Sequence, residues 1–289
     1  MAKSAVLIAG PTASGKSALA LERARASGGV IVNTDAMQVY GGLRALTARP
    51  GEAETALVPH RLYGIADPQT RFSTGDWARA AAGVLAEAGD RPLIFAGGTG
   101  LYFSALTAGF ADVPEVPDEA VAEATAEVAS LDREARGRLI ADRDPAMAAR
   151  LKAPDPQRVI RALAVLKATG RSLATFQDRA QRGLLDGWTL ERIVLNPDRE
   201  VLARRIAARF EAMLGQGAIE EVQDLLGRRL DPGLPAMKAI GVREIAAWLA
   251  GTIDREEMVR RAVIATRQYA KRQRTWFRSH MADWTWIEG

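Results

Sequence analysis

The sequence predicts an α/β fold in which helices flank a parallel sheet. Short apolar runs end in glycine or polar residues, and helical patterns lie between these runs. A glycine-rich loop also follows the first run directly. The 289 residues, 48% of them hydrophobic, provide enough apolar material for a large core. We therefore expect a doubly wound α/β core.

The predicted strands are apolar and rich in β-branched residues, as is typical of buried parallel strands. They lie at 5–9, 30–32, 93–96 and 192–196, with a short closing strand near 284–287. Helical patterns at 17–26 and 74–88 lie between the first three strands, and each pattern stops at glycine. The alternation of strand and helix predicts parallel pairing.

A long helical segment separates the third strand from the fourth. It starts at the prolines of "DVPEVPD", beginning at Asp112, and continues to Asp186 without a convincing strand. We therefore predict a first part of the core at 1–111, a helical insertion domain at 112–186, and a return to the core at 187–289. This last part ends in a helical, basic C-terminal region.

Composition restricts the chemistry that the chain can perform. It contains no cysteine and only His60 and His280, which excludes disulfides and thiol nucleophiles and disfavours a zinc site. Carboxylates, hydroxyls, basic groups and a hard metal ion remain available. The first apolar run is too short for a signal peptide, and no run approaches the roughly 20 residues of a membrane span. We expect a cytoplasmic protein without a membrane partner.

The strongest local motif is "GPTASGKS", which has the spacing G-x-x-x-x-G-K-[ST] between a predicted strand and a predicted helix. Backbone N–H groups and the helix N-terminus of such a P-loop surround phosphates. Lys16 would reach terminal phosphate oxygens and Ser17 would offer its hydroxyl to Mg²⁺. The motif predicts a P-loop NTPase-like core, and it leaves open an ATPase, a kinase or another use of a polyphosphate.

Polar residues also follow the second and third strands. Asp35 would lie at the carboxyl edge of the sheet, as a base, an indirect Mg²⁺ ligand or a helix N-cap. The third strand ends in "AGGTGLY", which lacks the aspartate of a typical ATPase, and Thr99 could bind a substrate oxygen or cap a helix. Arg205 and Arg209, four residues apart, would face the phosphate site from the helix after the fourth strand.

A basic segment at 260–278 contains seven Lys or Arg residues and no acid. Such a stripe is typical of a helix face that contacts phosphates, although it can also be a solvated face. Tyr269 and Trp276 are expected to be core anchors. The cations predicted to share one face are Arg260, Arg267, Lys271, Arg274 and Arg278.

Six motifs, in chain order, resemble those of the tRNA dimethylallyltransferases. They are "GPTASGKS", "NTDAMQVY", "AGGTGLYF", "DPQRVIRAL", "KAIGVREI" and "RQYAKRQRTWFR", and the resemblance covers about 6–286. It implies transfer of the dimethylallyl group of dimethylallyl pyrophosphate to the exocyclic amine of the adenine 3′ of the anticodon, in tRNAs that read codons beginning with U. The implied cofactor is Mg²⁺, and the implied partners are the donor and the tRNA anticodon stem-loop. A monomer is expected.

The resemblance also implies roles for individual residues. Asp35 would be the general base, with Thr99, Arg209 and Lys16 supporting the reacting centre and Ser17 at the metal. The target adenine would flip out of its stack. The pyrophosphate would be bound by Gly10, Pro11, Thr12, Ala13, Ser14, Gly15, Lys16 and Ser17. The tRNA would be contacted by Asp35, Ala36, Met37, Gln38, Thr99, Gln157, Arg158, Val159, Ile160, Arg161, Lys238, Ala239, Ile240, Gly241, Val242 and Arg243.

Some positions depart from the family pattern. Arg44 and Arg49 lie in an unusual "GGLRALTARP", where they would change contacts near the acceptor base, and Val242 replaces a frequent aromatic residue. Two alternative functions follow from the motifs. A nucleoside or small-molecule kinase would use the same P-loop, and a non-catalytic RNA-binding module would bind tRNA without turnover.

Overall fold

The computed structural model describes residues 3–109, 111, 113–179 and 182–288. The chain forms two compact units, one of Met1–Thr107 with Leu184–Gly289 and a second of Ala108–Gly183. The helical insertion domain predicted at 112–186 overlaps the second unit. Asp112, where the predicted linker starts, lies outside the described residues.

The first unit contains a six-stranded sheet among its described residues, and every strand pairing is parallel. The order is β3-β2-β4-β1-β5-β6. The predicted strands are confirmed, but β3 was missed because two residues, His60–Arg61, form no apolar run. The strands are β1 Ser4–Ala9, β2 Val30–Asn33, β3 His60–Arg61, β4 Leu93–Gly97, β5 Thr189–Leu195 and β6 Thr285–Ile287.

The core of the first unit lies on both faces of the central strands. Leu7 and Ile8 on β1 and Phe95 on β4 are fully buried, so neighbouring side chains pack on opposite faces. In register, Ile8 pairs with Ala96 and with Ile193. Since β2, β4 and β1 are neighbours, the loops that follow them meet at one edge of the sheet, where open α/β folds bind ligands.

Helices form most of the remaining chain. The helix expected at 74–88 begins at Thr74 with a Ser73 cap and a capping box to Asp76. The helices are α1 Lys16–Ser27, α2 Arg44–Thr47, α3 Glu52–Leu57, α4 Thr74–Glu87, α5 Gly100–Thr107, α6 Asp118–Ala129, α7 Arg133–Arg143, α8 Pro145–Arg150, α9 Pro156–Thr169, α10 Leu173–Gln177, α11 Arg199–Leu214, α12 Ala218–Gly227, α13 Val242–Leu249 and α14 Arg255–His280, with a 3₁₀ turn at Ala236–Lys238.

The second unit is helical in its described residues, from α6 to α10, with its own hydrophobic core. Helix α9 begins with Pro156, and the Asp155 side chain accepts the Arg158 N–H at 3.2 Å. Val159 and Val165 on α9 are fully buried in this core. In the described part of the whole chain, no helix is both long and apolar enough to cross a membrane.

Candidate active site

The P-loop, residues 10–17, joins β1 to α1. Gly15, with φ of 93°, occupies the N-cap position of α1, where no side chain caps the helix. The first N–H groups of α1 are therefore available to an anion. A Cβ on Gly10 would lie 2.5 Å from the Ser14 Oγ and 3.1 Å from the Leu195 carbonyl oxygen, so glycine allows close packing here. Ser14 Oγ is buried without a hydrogen-bond partner in the described residues.

A cleft of about 700 Å³ opens at the P-loop, and its charged lining residues are mostly cations. Glu54 is the acidic residue in the lining. Arg44 and Arg49, which depart from the family pattern, line this cleft and not the neighbouring apolar pocket described below. A site of this charge suits a polyanion. Its basic residues are Lys16, Arg44, Arg49, Arg205 and Arg209.

The charged groups of Lys16 and Arg209 are both largely removed from solvent. Burial lowers the pKa of Lys16 to about 8; the Asp35 carboxylate opposes this shift and the Arg209 cation adds to it. Burial also lowers the pKa of Arg209, against the attraction of Asp35. The Lys16 Nζ donates a hydrogen bond to the Pro11 carbonyl at 3.3 Å. An anion bound here would therefore favour the charged form of Lys16.

Asp35 lies in a turn that Asn33 builds at the end of β2. The Asp35 N–H donates to Asn33 Oδ1 at 2.8 Å, and Asn33 Nδ2 donates to the Asp35 carbonyl at 3.0 Å. Asp35 Oδ1 accepts the Met37 N–H at 3.0 Å, and the next helix begins only at Arg44. The alternative interpretation of Asp35 as a helix N-cap is therefore wrong. Its Oδ2 accepts no hydrogen bond from the described residues.

An apolar pocket of about 310 Å³ lies beside the cleft. Asp35 is its acidic lining residue, and Arg209 lines both the pocket and the cleft. Tyr269 and Arg272 of α14 also face this pocket. Tyr269 was expected to be a core anchor, and that expectation is wrong. The apolar lining residues include Met37, Leu46, Ile206, Phe210 and Met213.

Thr99 connects the loops after β2 and β4. Its Oγ1 accepts the Ala36 N–H at 2.9 Å, and its own N–H donates to the Thr34 carbonyl at 3.0 Å. Burial and the charge of Asp35 raise the pKa of the Tyr269 hydroxyl, and the Thr99 side chain opposes this shift. Thr99 is thus placed to fix the position of Asp35 relative to β4.

Gln273 on α14 was not identified from the sequence, where it appears as one polar residue in a basic segment. It is buried, its Oε1 accepts the Thr12 N–H at 2.9 Å, and its Nε2 donates to the Gly98 carbonyl at 2.9 Å. A Cβ on Gly98 would lie 2.1 Å from Gln273 Nε2, and one on Gly100 would lie 2.2 Å from the Trp276 ring. The glycines of "AGGTG" therefore admit α14. The abundance of glycine in this loop was the sequence signal that another element packs closely against it.

The carbonyl oxygen of Thr47 accepts hydrogen bonds from two side chains. Gln38 Nε2 donates to it at 2.9 Å, and Arg209 Nη2 lies at 3.4 Å. Gln38 also donates to the Ala48 carbonyl at 3.0 Å. Gln38 therefore holds the turn after α2, which lines both cavities.

The other residues expected to contact tRNA differ in exposure. Lys238, Ala239 and Ile240 line the apolar pocket. Gly241 and Val242 are buried, and Arg243 is exposed. In the second unit Val159 is fully buried and Ile160 packs on its core, while the side chains exposed to solvent are Gln157, Arg158 and Arg161. Direct contact through the Val159 side chain would require that core to open.

The predicted stripe on α14 is altered at its start. Arg260 and Arg261 both pair with Glu257, with nearest distances of 2.6 Å. Glu257 lies one turn before the acid-free segment, so the charge of Arg260 is compensated although the segment itself contains no acid. Trp276 is half-buried and stacks on His280, with ring centroids 4.2 Å apart.

The P-loop offers the donor atoms that a small hard cation needs. Ser17 is exposed in the cleft, and its hydroxyl makes no hydrogen bond within the described residues. Groups of three or more metal-binding side chains do not occur in that part of the chain. Mg²⁺ is commonly bound by few protein oxygens together with substrate phosphates and water, so this donor set fits it.

The chain resembles one family throughout. A family model described as IPP transferase matches residues 38–280. A tRNA dimethylallyltransferase of Chelativorans sp. (strain BNC1) is 52% identical over 98% of both chains. One from Methylobacterium sp. (strain 4-46) is 52% identical over 99% of this chain and 95% of its own.

Solved structures of similar proteins give the same result. The tRNA isopentenylpyrophosphate transferase of Bacillus halodurans has a TM-score of 0.69 and 33% identity, over 99% of this chain and 90% of that one. A eukaryotic dimethylallyltransferase acting on tRNA has a TM-score of 0.81 over 99% of this chain and 74% of that one. Its 24% identity shows the fold alone.

Proposed function

The chain belongs to the IPP transferase family, and from this premise we propose that it transfers the dimethylallyl group of dimethylallyl pyrophosphate to the exocyclic amine of an adenine in tRNA. The observation that carries the proposal is the pairing of two cavities that share Arg209. One is cationic and begins at the P-loop. The other is apolar and contains the Asp35 carboxylate. A donor with an anionic head and a hydrocarbon tail matches this pair.

In the proposed reaction the pyrophosphate occupies the cleft and the dimethylallyl group extends past Arg209 into the apolar pocket. The adenine nitrogen forms a bond to the allylic carbon while the bond from that carbon to the pyrophosphate oxygen breaks. The electron pair leaves with pyrophosphate, whose charge Lys16 and Arg209 stabilise. The proton of the amine passes to the Asp35 carboxylate, which restores a neutral product amine.

Mg²⁺ is the proposed cofactor, and Ser17 is the protein residue that would hold it. When bound, the ion neutralises charge on the pyrophosphate. The P-loop residues named above retain their own role, since backbone N–H groups at the start of α1 orient the same pyrophosphate.

We also propose the finer specificity that the resemblance implies. The target is the adenine 3′ of the anticodon in tRNAs that read codons beginning with U, presented by an anticodon stem-loop. Support comes from exposed cations in the expected segments, namely Lys238 and Arg243 in the first unit and Arg158 and Arg161 in the second. Because one chain supplies the lining of both cavities, we propose an active monomer, working in the cytoplasm where tRNA is used.

The test is incubation with labelled dimethylallyl pyrophosphate, Mg²⁺ and unmodified tRNA, followed by digestion to nucleosides. Labelled isopentenyladenosine is the expected product, and its absence across tRNAs that read U-starting codons would reject the proposal. The relatives favour this function over a kinase. A parallel reaction with labelled ATP and nucleosides checks that choice, because phosphate transfer without allyl transfer would select the kinase.

A further inference from the structure

Helix α2, Arg44–Thr47, forms a wall that the cleft and the apolar pocket share. Its first two residues, Arg44 and Ala45, line the cleft, and its last two line the pocket. The Thr47 carbonyl also accepts a hydrogen bond from Arg209, which lines both cavities. The position of this short helix therefore determines how the two cavities are aligned with each other.

Both ends of α2 are held by side chains from outside the helix. A helix of four residues is not stable by itself, because few of its backbone groups are paired within it. Leu43 at its N-cap position is apolar and makes no side-chain cap. At the C-terminal end, Gln38 donates to the carbonyls of Thr47 and Ala48 at 2.9 and 3.0 Å. The N-terminal end is held by Glu221 of α12.

Glu221 uses both carboxylate oxygens on the first turn of α2. Its Oε1 accepts the Ala45 N–H at 2.7 Å, and its Oε2 accepts the Leu46 N–H at 3.0 Å. These donors occupy the second and third helical positions, which an N-cap side chain normally satisfies. A carboxylate at this place also interacts favourably with the helix dipole. Glu221 thus acts as a cap that another helix supplies.

Helix α12 keeps Glu221 in a fixed place relative to Arg209. Ala218 and Val222 of α12 are fully buried. Only residues 215–217 separate α12 from α11, the helix that carries Arg209. The two hydrogen bonds from Glu221 therefore connect α2 to the element that supplies the shared arginine.

The charge of Glu221 also affects the cleft. Burial lowers the pKa of Arg49; the Glu221 carboxylate opposes this shift and the Arg44 cation adds to it. By electrostatics alone, removing the carboxylate would make the cleft more cationic and would tighten the binding of an anion. Displacement of α2 would instead weaken that binding, because Arg44 and Arg49 would no longer face the anion. The two effects have opposite signs, so a measurement of affinity separates them.

We propose that Glu221 is a positioning residue for the transfer reaction, because it holds α2 so that the cleft cations and Arg209 act on one donor molecule. A misplacement of about 1 Å can cost about 10²-fold in rate. The effect on transfer rests on the proposed function. The effect on pyrophosphate binding requires only the cleft itself.

The first test is the Kd for pyrophosphate, measured by calorimetry. Glu220→Ala is the matched control, since Glu220 is the exposed neighbour of Glu221 on α12 and carries the same charge. We expect Glu221→Ala to weaken binding about tenfold, and Glu221→Gln about threefold because its amide oxygen replaces one of two acceptors. Glu220→Ala should not weaken it. An unchanged or tighter Kd in Glu221→Ala would overturn the inference. If far-UV circular dichroism shows that Glu221→Ala is unfolded, the same outcomes apply to Glu221→Gln.

Transfer rates test the connection to Arg209. At saturating donor and tRNA, Glu221→Ala should lower the single-turnover rate about tenfold in the wild-type background, but less than about threefold in an Arg209→Ala background. The second effect is smaller because the arginine that α2 aligns is already absent. Fully additive effects would overturn the connection to Arg209. A wild-type protein that binds pyrophosphate without transferring the dimethylallyl group would reject the proposed reaction, and the Kd series would still decide the role of Glu221.

Discussion

The side-chain oxygen of Gln273 accepts a hydrogen bond from the backbone N–H of Thr12 at 2.9 Å. The nitrogen of the same amide donates to the Gly98 carbonyl at 2.9 Å. One buried side chain of α14 thus connects the P-loop to the loop that carries Thr99. Because Thr99 in turn contacts the backbone at Ala36, Gln273 positions the donor site relative to Asp35.

Replacing Gln273 with Leu should loosen this connection. The Thr12 N–H and the Gly98 carbonyl would be left unpaired, at a cost of about 1 to 3 kcal/mol for each group that stays buried. We expect a lower denaturation midpoint together with a higher donor KM. Gln273→Glu keeps an acceptor for Thr12 and should retain more donor affinity than Gln273→Leu. Gln268→Leu on the exposed side of the same helix is the control, and equal donor KM values for the Gln268 and Gln273 variants would contradict the positioning role.

Donor affinity should depend on the protonation of Lys16. Burial lowers its pKa to about 8, so the free protein loses this charge as the pH rises through about 8. An anion binds the charged form, and its presence raises the pKa in the complex. Affinity for pyrophosphate is therefore highest below pH 8 and should fall above it, by at most about tenfold per pH unit.

Calorimetric titration with pyrophosphate from pH 6.5 to 9.5 measures this dependence. Lys16→Arg is the control because its guanidinium stays charged over this range, and it reports the titration of the ligand itself. A wild-type profile that coincides with the Lys16→Arg profile would show that Lys16 does not titrate in the binding reaction.

The sequence was sufficient for features determined by neighbouring residues. The spacing of its glycines predicts the P-loop. The apolar run that leads directly into this loop predicts β1, and the helical pattern after the loop predicts α1. Gln273 and Thr12 are 261 positions apart, and no local pattern indicates which face of α14 covers the P-loop. The same limit explains why Tyr269 was expected in the core and not in the lining of a pocket. Helical spacing separates the two faces of a helix, but it does not indicate which face borders a cavity. Strand β3 was missed because its pairing with β2, and not its own composition, defines it.

The role of Asp35 can be tested by Asp35→Asn. An amide oxygen can still accept the Met37 N–H, so the turn is retained while the ability to take a proton is lost. We expect kcat to fall by about 10²- to 10⁴-fold, the range for removal of a general base. The donor KM should change far less. Rapid-quench measurement of isopentenyladenosine gives kcat, and Asp90→Asn, at an exposed loop position, is the control. A near-normal kcat in Asp35→Asn would remove this residue from proton transfer.

Arg209 and Arg205 allow a comparison on one helix. Both line the cleft, but only Arg209 also lines the apolar pocket and contacts the Thr47 carbonyl. Arg209→Ala should lower kcat by about 10²-fold or more, because the charge next to the breaking bond is lost. Arg205→Ala should mainly raise the donor KM. Single-turnover rates at saturating donor distinguish the two effects, and equal rates for both variants would argue against a special role for Arg209.

Gly98→Ala should damage the site through a single methyl group. The added Cβ would lie 2.1 Å from Gln273 Nε2 and 3.4 Å from Asp35 Oδ2. Gln273 would have to move, and its bond to Thr12 would be lost with it. Because Gly98→Ala and Gln273→Ala disturb the same contact, their effects on kcat/KM should not add: the double variant should be only slightly worse than the worse single variant.

The comparison with Gly83→Ala separates this steric effect from the general effect of replacing glycine. Gly83 lies within α4, is exposed, and has no neighbour within 4 Å of a new Cβ. Alanine there should raise the free energy of unfolding by about 0.5 to 1 kcal/mol, because glycine is the poorer helix former. Gly98→Ala should lower that free energy and the rate of transfer together. Urea unfolding and kcat/KM for both single variants and the double variant complete the test. If the effects of Gly98→Ala and Gln273→Ala on kcat/KM are fully additive, the two residues act separately. Contact with Gln273 would then not be the reason that position 98 requires glycine.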